Sequence, residues 1–360
     1  MVAGGVALLC ALPALHSALP VSAPRVSVGQ LRARILTAAS LPYAGYAESN
    51  ATFGLPPLNG FTVVTSLLDG ITRMRVWQAS QDSWRVDVLA DVGESDTYQT
   101  PRSTFIWDSG SDLLTEVFGQ YPVRLPRPAD LVPPALAARL LRTVGPGARF
   151  TGLPPQRIAG LTAVGLRVIP ADPASTVGHI DIWAEPGSGL ALQVEVFGRG
   201  AGRPALASQF LQVNAWHPAK SVLTPQRGPG TAFTETDAAD LEGALSDLGP
   251  AILPRKLAGR SRVPTPAGFG EIGIYGRGLA TFAVLELGTG NGTQLISGAE
   301  LDGGIRLNLP DHATAVLVRT PLITAILLHP RNAIGTFVLA GLVVPKVLGQ
   351  AARELAAAPW

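Results

Sequence analysis

The stretch Asp82-Ser83-Trp84-Arg85-Val86-Asp87-Val88-Leu89-Ala90 decides the fold. Trp84, Val86 and Val88 alternate with Arg85 and Asp87. A period of two puts one set of side chains on each face of a strand, so this segment reads as β-structure with one apolar and one polar face. An antiparallel sheet with one buried face needs such strands. The neighbours repeat the pattern. Tyr43–Thr52, Thr72–Ala79, Asp96–Thr100 and Thr104–Asp108 are short, rich in aromatic and β-branched residues, and separated by turn residues. Further strands are expected at Gln156–Ala159, Ala163–Ile169, Gly178–Ala184, Leu190–Phe197 and Leu206–Val213, with Pro186-Gly187-Ser188-Gly189 as a hairpin turn.

Two helices interrupt these strands. Ser27–Ser40 opens with Ser27 and Gln30 at capping-box spacing and carries Val28, Leu31, Ile35 and Ala39 on one face. Ala129–Val144 has Pro133 and Pro134 near its start, where a missing N–H costs least, and a stripe of Leu136, Leu140, Leu141 and Val144. Residues 26–215 therefore predict one highly curved antiparallel sheet with both helices on its concave side. Residues 218–232, rich in Pro, Gly and basic side chains, read as a linker. Beyond it the sequence predicts a helix at Glu235–Leu248, strands around Glu271–Tyr275, Leu279–Leu287, Ala313–Arg319, Leu322–Leu328 and Gly335–Leu342, and a last helix at Lys346–Ala357. Gly288–Gly292 reads as a flexible turn. The division is thus 1–24, 25–217, 218–232 and 233–360.

Residues 2–23 carry no charged side chain and read as a signal peptide or membrane anchor. No Lys or Arg precedes the run, and Pro24 follows the Val21-Ser22-Ala23 cleavage candidate, leaving a cut after Ser17 or Ala18 as the other option. The single cysteine, Cys10, lies in this run, so no disulfide forms within one chain. Hydrophobic residues make up 47% of the 360 and charged residues 15%, against a usual charged share of about 25%. Residues 1–224 hold 17 basic and 15 acidic side chains, and residues 225–360 hold 11 of each. That balance offers no basic stripe for a phosphate backbone, and nucleic acid is not an expected partner.

Catalytic chemistry has little to stand on. His16, His179, His217, His312 and His329 show no metal-ligand spacing, and no GxSxG elbow occurs. Asp108 and Asp112 flank Ser109 in what reads as a solvated turn. Gly268-Phe269-Gly270-Glu271-Ile272-Gly273 matches GxGxxG, yet Pro264 and Pro266 precede it and the strand-like Ile274-Tyr275 follows, the wrong setting for a dinucleotide loop. The expectation is no catalytic residue, no metal and no cofactor. What stands out is aromatic: Tyr43, Tyr46, Trp77, Trp84, Tyr98, Phe105, Trp107 and Trp183 all fall in predicted strands. They serve either as ordinary core or as the lining of an apolar concavity, the usual form of a small-molecule site.

Asp82-Ser83-Trp84-Arg85-Val86-Asp87 followed by Arg102-Ser103-Thr104-Phe105-Ile106-Trp107-Asp108 resembles the paired strands of the periplasmic lipoprotein carrier LolA and the sigma-E regulator RseB. Tyr43-Ala44-Gly45-Tyr46 is similar to that family's first strand, and Ile180-Asp181-Ile182-Trp183 with Gly189-Leu190 to its late hairpin. Ile274–Phe282 is similar to a strand pair of the RseB C-terminal domain, with Gly276-Arg277 where that family has Ser-Asp. Pro101-Arg102-Ser103 replaces the family's Asp-Gly turn. The resemblance implies a mainly β fold with α: a curved, antiparallel, incomplete β-barrel with covering helices, plus a smaller C-terminal α+β domain. It implies an extracytoplasmic protein, secreted or anchored by its N-terminal segment to the outer face of the cytoplasmic membrane. The expected activity is non-enzymatic binding of a lipid, acyl chain or lipidated peptide. The alternative is an RseB-like regulator that binds a membrane anti-sigma factor; a transporter component is a further candidate partner. Tyr43, Tyr46, Trp77, Trp84, Phe105, Trp107 and Trp183 are the candidate lining of the apolar cavity.

Overall fold

The computed structural model describes residues 21–54, 66–119, 126–236, 252–265, 272–309, 312–331 and 333–358. The first sheet contains β1 (Tyr43–Thr52), β2 (Asp69–Ser80), β3 (Ser83–Leu89), β4 (Glu94–Gln99), β5 (Ser103–Asp108), β6 (Leu113–Phe118), β7 (Arg149–Ile158), β8 (Leu161–Ile169), β9 (Val177–Ala184), β10 (Ala191–Gly198), β11 (Pro204–Asn214) and β12 (Ala232–Thr236). Their order is β12-β6-β5-β4-β3-β2-β1-β11-β10-β9-β8-β7. All pairs are antiparallel except β12 with β6. Two meanders, β1–β6 and β7–β11, are thus joined by the pairing of β1 with β11.

Two helices, α1 (Val28–Ala38) and α2 (Pro133–Thr143), pack against each other and against the sheet. The α1 capping box forms as read: the Gln30 N–H donates to Ser27 Oγ at 3.3 Å, and the Ser27 N–H donates to Gln30 Oε1 at 3.2 Å. Pro133 and Pro134 occupy the first two positions of α2, preceded by a 3-10 turn at Pro128–Leu131. That turn touches β3, while α2 itself touches β10 and β11. β3 and β10 are four strands apart, so one short helical unit meets both only because the sheet curls around it. Leu31, Ile35, Leu136, Ala137 and Leu141 fill the space against Tyr43, Ala47, Met74, Val76, Val86, Ile182 and Val194. The result is an open, curved sheet with covering helices, an incomplete β-barrel.

The second sheet holds β13 (Lys256–Leu257), β14 (Arg260–Val263), β15 (Gly273–Tyr275), β16 (Phe282–Leu287), β17 (Ile305–Asn308), β18 (Thr314–Arg319), β19 (Thr324–His329) and β20 (Thr336–Gly341), in the order β13-β14-β15-β16-β20-β19-β18-β17. One face packs on α4 (Pro345–Ala356) through Leu348, Ala351, Ala352 and Leu355; the other packs on α3 (Thr289–Leu301) through Ile296 and Ala299. The two sheets are stitched by residues 172–176. Ser175 Oγ donates to Leu279 O at 2.5 Å, the Val344 N–H donates to Ala174 O at 2.8 Å, and Asp172 pairs with Arg260 at 2.9 Å. Leu279 and Leu322 are buried in the first sheet's core.

Two expectations need correction. Gly288–Gly292 is no turn: Gly288 is the N-cap of α3. Tertiary packing overrides the weak propensity of Gly290 and Gly292. A Cβ at Gly292 would lie 2.2 Å from Thr336 Oγ1, so this glycine lets the helix sit close on β20. Glu235 and Thr236 belong to strand β12 instead of opening a helix; the rest of Glu235–Leu248 lies outside the described residues. The alternation of Phe233 with Thr234 and Thr236, and a free edge at β6, account for the difference. Within residues 218–232 Pro218 and Leu223 are buried, and the chain crosses the first sheet before pairing with β6. The apolar segment 1–24 lies almost wholly outside the described residues, as do Gly268–Glu271. Among the described residues no helix is long and apolar enough to cross a membrane, which says nothing of strands.

Two stability outcomes follow from α1 and α2. Leu141, 2% exposed, packs at the centre of the curled sheet; Leu141→Ala is expected to cost about 2–5 kcal/mol. Ser27→Ala, which removes the α1 cap, is expected to cost about 1 kcal/mol. Chemical denaturation of both variants checks the ranking, and a Leu141→Ala midpoint equal to wild type contradicts the packing described.

Candidate functional site

Residues opposite one another across a ladder share a face, so the register sorts the aromatic side chains. Tyr43 pairs with Gln78, Gln78 with Trp84, and Trp84 with Gln99. These point to the inner, helix-covered face together with Val76 and Val86. Trp77 pairs with Arg85, Arg85 with Tyr98, and Tyr98 with Phe105; Tyr46 pairs with Arg75, Arg75 with Asp87, Asp87 with Asp96, and Asp96 with Trp107. These occupy the outer face. Trp84 and Trp107 therefore lie on opposite sides of the sheet and do not line one cavity. Trp183 is apart from both groups. It lies on β9, five strands from β3, over Gly165, with its indole N–H donating to Pro154 O at 3.2 Å.

The inner face carries a cavity of about 550 Å³ between β1–β3 and α2, within the range of about 300–1,000 Å³ usual for ligand sites. Tyr43, Val76, Trp84, Val86, Val132, Ala135 and Ala138 supply apolar lining, and Asp130, Arg139 and Arg142 polar lining. Its polar floor is self-satisfied. Gln78 Nε2 donates to Ala39 O at 2.8 Å and to Leu41 O at 2.9 Å, and the Tyr43 hydroxyl donates to Gln78 Oε1 at 3.3 Å. Complete burial pushes the Tyr43 hydroxyl pKa upward, so it stays a neutral donor. Arg139 pairs with Asp130 at 3.0 Å, while Arg142 is exposed.

The outer face carries a second cavity, of about 440 Å³. Arg85, Asp96, Tyr98, Trp107 and Leu114 line it from the sheet, and Ser221, Val222, Thr224, Pro225 and Gln226 from the crossing segment. The Arg85 guanidinium bridges two carboxylates, Nε to Asp87 Oδ1 at 2.5 Å and Nη2 to Asp96 Oδ2 at 2.7 Å. It also lies over the Trp77 ring at 5.1 Å and the Tyr98 ring at 4.7 Å. Arg75 reaches Glu94 at 2.5 Å and stands 3.7 Å from Asp87 Oδ2. Burial, then the facing Asp87 carboxylate, push the Asp96 pKa up to about 7; burial also raises that of Asp87. The sequence gives this network no visible signal. Arg85 and Asp87 read as a solvated polar face, yet Asp87 is 0% and Asp96 2% exposed.

The residues weighed for catalysis are not brought together. Asp108 Oδ1 accepts from the Ser111 N–H and Oγ, both at 2.8 Å, in an exposed turn. His179 stacks on Phe197 with ring centroids 4.2 Å apart, and burial lowers its pKa. Six strands lie between β5 and β9.

An open curved sheet with helices against its inner face, joined to a smaller sheet, is the LolA/RseB-like layout that the paired-strand resemblance implied. No protein-family model and no curated protein sequence matches the chain. Among solved structures it is similar to MucB of Pseudomonas aeruginosa in its complex with MucA, at 17% identity over 91% of this chain and 97% of that one, with a TM-score of 0.47. A structure of MucB alone gives 17% identity, 91% and 95% coverage and a TM-score of 0.43. A LolA superfamily protein from Nitrosomonas europaea gives 10% identity, 56% and 99% coverage and a TM-score of 0.24. At these values the likenesses assign neither ligand nor partner.

The Asp96 environment sets a pH dependence. Its folded pKa lies above the unfolded value of about 3.9. Between that value and about 7 the folded protein holds a proton that the unfolded chain has released. The contribution of this group to stability is therefore full at the acid end of the window and falls as pH rises through it. Thermal melts from pH 4 to pH 8 are expected to show this decline, and Asp96→Asn is expected to flatten it; an unchanged slope in the variant contradicts the assignment.

Proposed function

We propose that this chain is a non-enzymatic extracytoplasmic binding protein that takes an acyl chain, of a lipid or a lipidated peptide, into the inner-face cavity. The observation that carries this reading is the cavity itself. It lies between the curled sheet and α2, has two of the candidate aromatics, Tyr43 and Trp84, in its wall, and has a floor whose polar groups already have partners. Enclosed apolar area contributes roughly 25 cal/mol per Å², and a ligand that needs no polar contact at the floor loses nothing there. Arg139 and Arg142, one helical turn apart on α2, supply positive charge beside the apolar wall. Of the other candidate residues, Trp107, Tyr46, Trp77, Phe105 and Trp183 play no part in this reading.

The second reading, a regulator that binds a membrane anti-sigma factor, draws on one observation. The two sheets are held together through Ser175, Leu279 and Val344, so both can present surface to a single partner. Lipid in the inner cavity would then modulate that binding.

Fluorescence titration of the full chain with a long-chain fatty acid is the test. Saturable quenching is expected, lost in Trp84→Phe and retained in Trp107→Phe. Ala135→Trp, which fills the cavity from its helical wall, is expected to lower affinity at least about tenfold while the protein still folds, because the steric block forfeits the apolar contact area. No saturable response in the wild type leaves the partner-binding reading as the better one.

A further inference from the structure

We propose that the outer-face cavity is a second binding site, for the primary ammonium group of a short alkyl chain such as a lysine side chain. The argument starts with charge. With every group ionised, Asp87, Glu94 and Asp96 face Arg75 and Arg85, which leaves one negative charge uncompensated. The shortfall shows in the geometry: Asp96 Oδ1 is a buried oxygen with no hydrogen-bond donor, and Asp87 Oδ2 is faced only by Arg75 Nε at 3.7 Å, too far for a hydrogen bond. A buried carboxylate oxygen without a donor is costly, so the site favours whatever brings one more positive charge or proton. Asp96, 2% exposed, reaches the cavity wall. The remaining wall matches an alkylammonium ion. Tyr98, whose ring already carries the Arg85 guanidinium, and Trp107 bring aromatic rings to the wall, a surface that attracts cations, and Leu114, Val222 and Pro225 offer apolar surface to its methylenes. Ser221, Val222, Thr224, Pro225 and Gln226 form the outer wall, so a ligand would lie between the sheet and the chain that crosses it.

Three competitors share the chemistry. A proton on Asp96 neutralises the same charge. The three carboxylates have ligand atoms within 4.8 Å of one another, which also fits a metal ion; a divalent ion, however, overshoots the single missing charge and meets Arg75 and Arg85. An ethanolamine headgroup carries the same ammonium, with a phosphate two carbons away. The other charged or titratable groups around Asp96 are Arg75 on β2, Arg85 and Asp87 on β3, Glu94 and Tyr98 on β4, Asp112 on the Trp107 indole and Glu116 on β6. Lys220 and Arg227 stand at the ends of the crossing segment, Arg227 over the Phe233 ring.

The full chain is titrated with n-butylamine and with Nα-acetyl-lysine N-methylamide, followed by Trp fluorescence and melting temperature. The neutral norleucine analogue serves as control. The amines are expected to bind saturably at pH 8 and more weakly at pH 5, where a proton holds the site. Asp96→Asn is expected to weaken them about tenfold or more, and Trp107→Leu, which keeps an apolar side chain but removes the ring, is expected to weaken them while the melting temperature shows that the protein still folds. Phosphoethanolamine binding as well as butylamine identifies a headgroup as the source; its failure identifies a lysine side chain. Equal binding of the norleucine analogue overturns the proposal. So does unchanged affinity in a folded Asp96→Asn protein, or a response to calcium, magnesium or pH with none to the amines.

Discussion

A sheet twelve strands wide with one apolar face sets the terms for everything else. At about 4.8 Å between strands it would span roughly 50 Å if flat. The two helices available to cover it have 11 residues each, about 16 Å of cylinder apiece. They cannot shield a flat sheet, so the sheet curls until β3 and β10 approach the same helical unit. The inner cavity is what remains where the curl and the helices do not quite meet, beside β1–β3. Its position comes from a mismatch of areas rather than from a dedicated set of polar residues.

Much of this was legible. β1 runs from Tyr43 to Thr52 as its aromatic and turn residues indicate, and the Trp84–Val88 alternation named the right faces for its own strand. The Ser27–Gln30 cap formed, and Pro133-Pro134 marked the start of α2. What escaped the sequence depends on contacts between distant segments. β6 (Leu113–Phe118) is one weak run whose partner in β12 lies more than a hundred residues away. α3 starts on glycines that only the proximity of Thr336 makes intelligible.

The aromatic set shows the same limit at the level of the site. Whether Trp84 and Trp107 share a face depends on the parity of every hairpin between them, and one residue of register reverses the answer. The alternation within a strand is local; its alignment with the next strand is not. The outer-face network was hidden for a related reason. Arg85 and Asp87 have the signature of a wet surface, and nothing local says that residues 221–226 return to cover them. Desolvation, not composition, turns an ordinary pair of strand carboxylates into one whose members share a charge deficit.

The seam between β1 and β11 carries a consequence for how the chain acquires its shape. Residues 44–51 pair with residues 206–214, whereas β2–β6 and β7–β11 each form from neighbours in sequence. Local meanders close their loops cheaply and early, and a contact spanning some 160 residues waits on them. The inner cavity has a wall built on β1, next to that seam, and a cover in α2, which touches β10 and β11 on the far side of it. The proposed site is therefore expected to form late in folding, after two half-sheets that each expose an apolar face. A chain that emerges unfolded on one side of a membrane passes through that state with Tyr43 and Trp84 uncovered, and closure of the seam is the event that hides them.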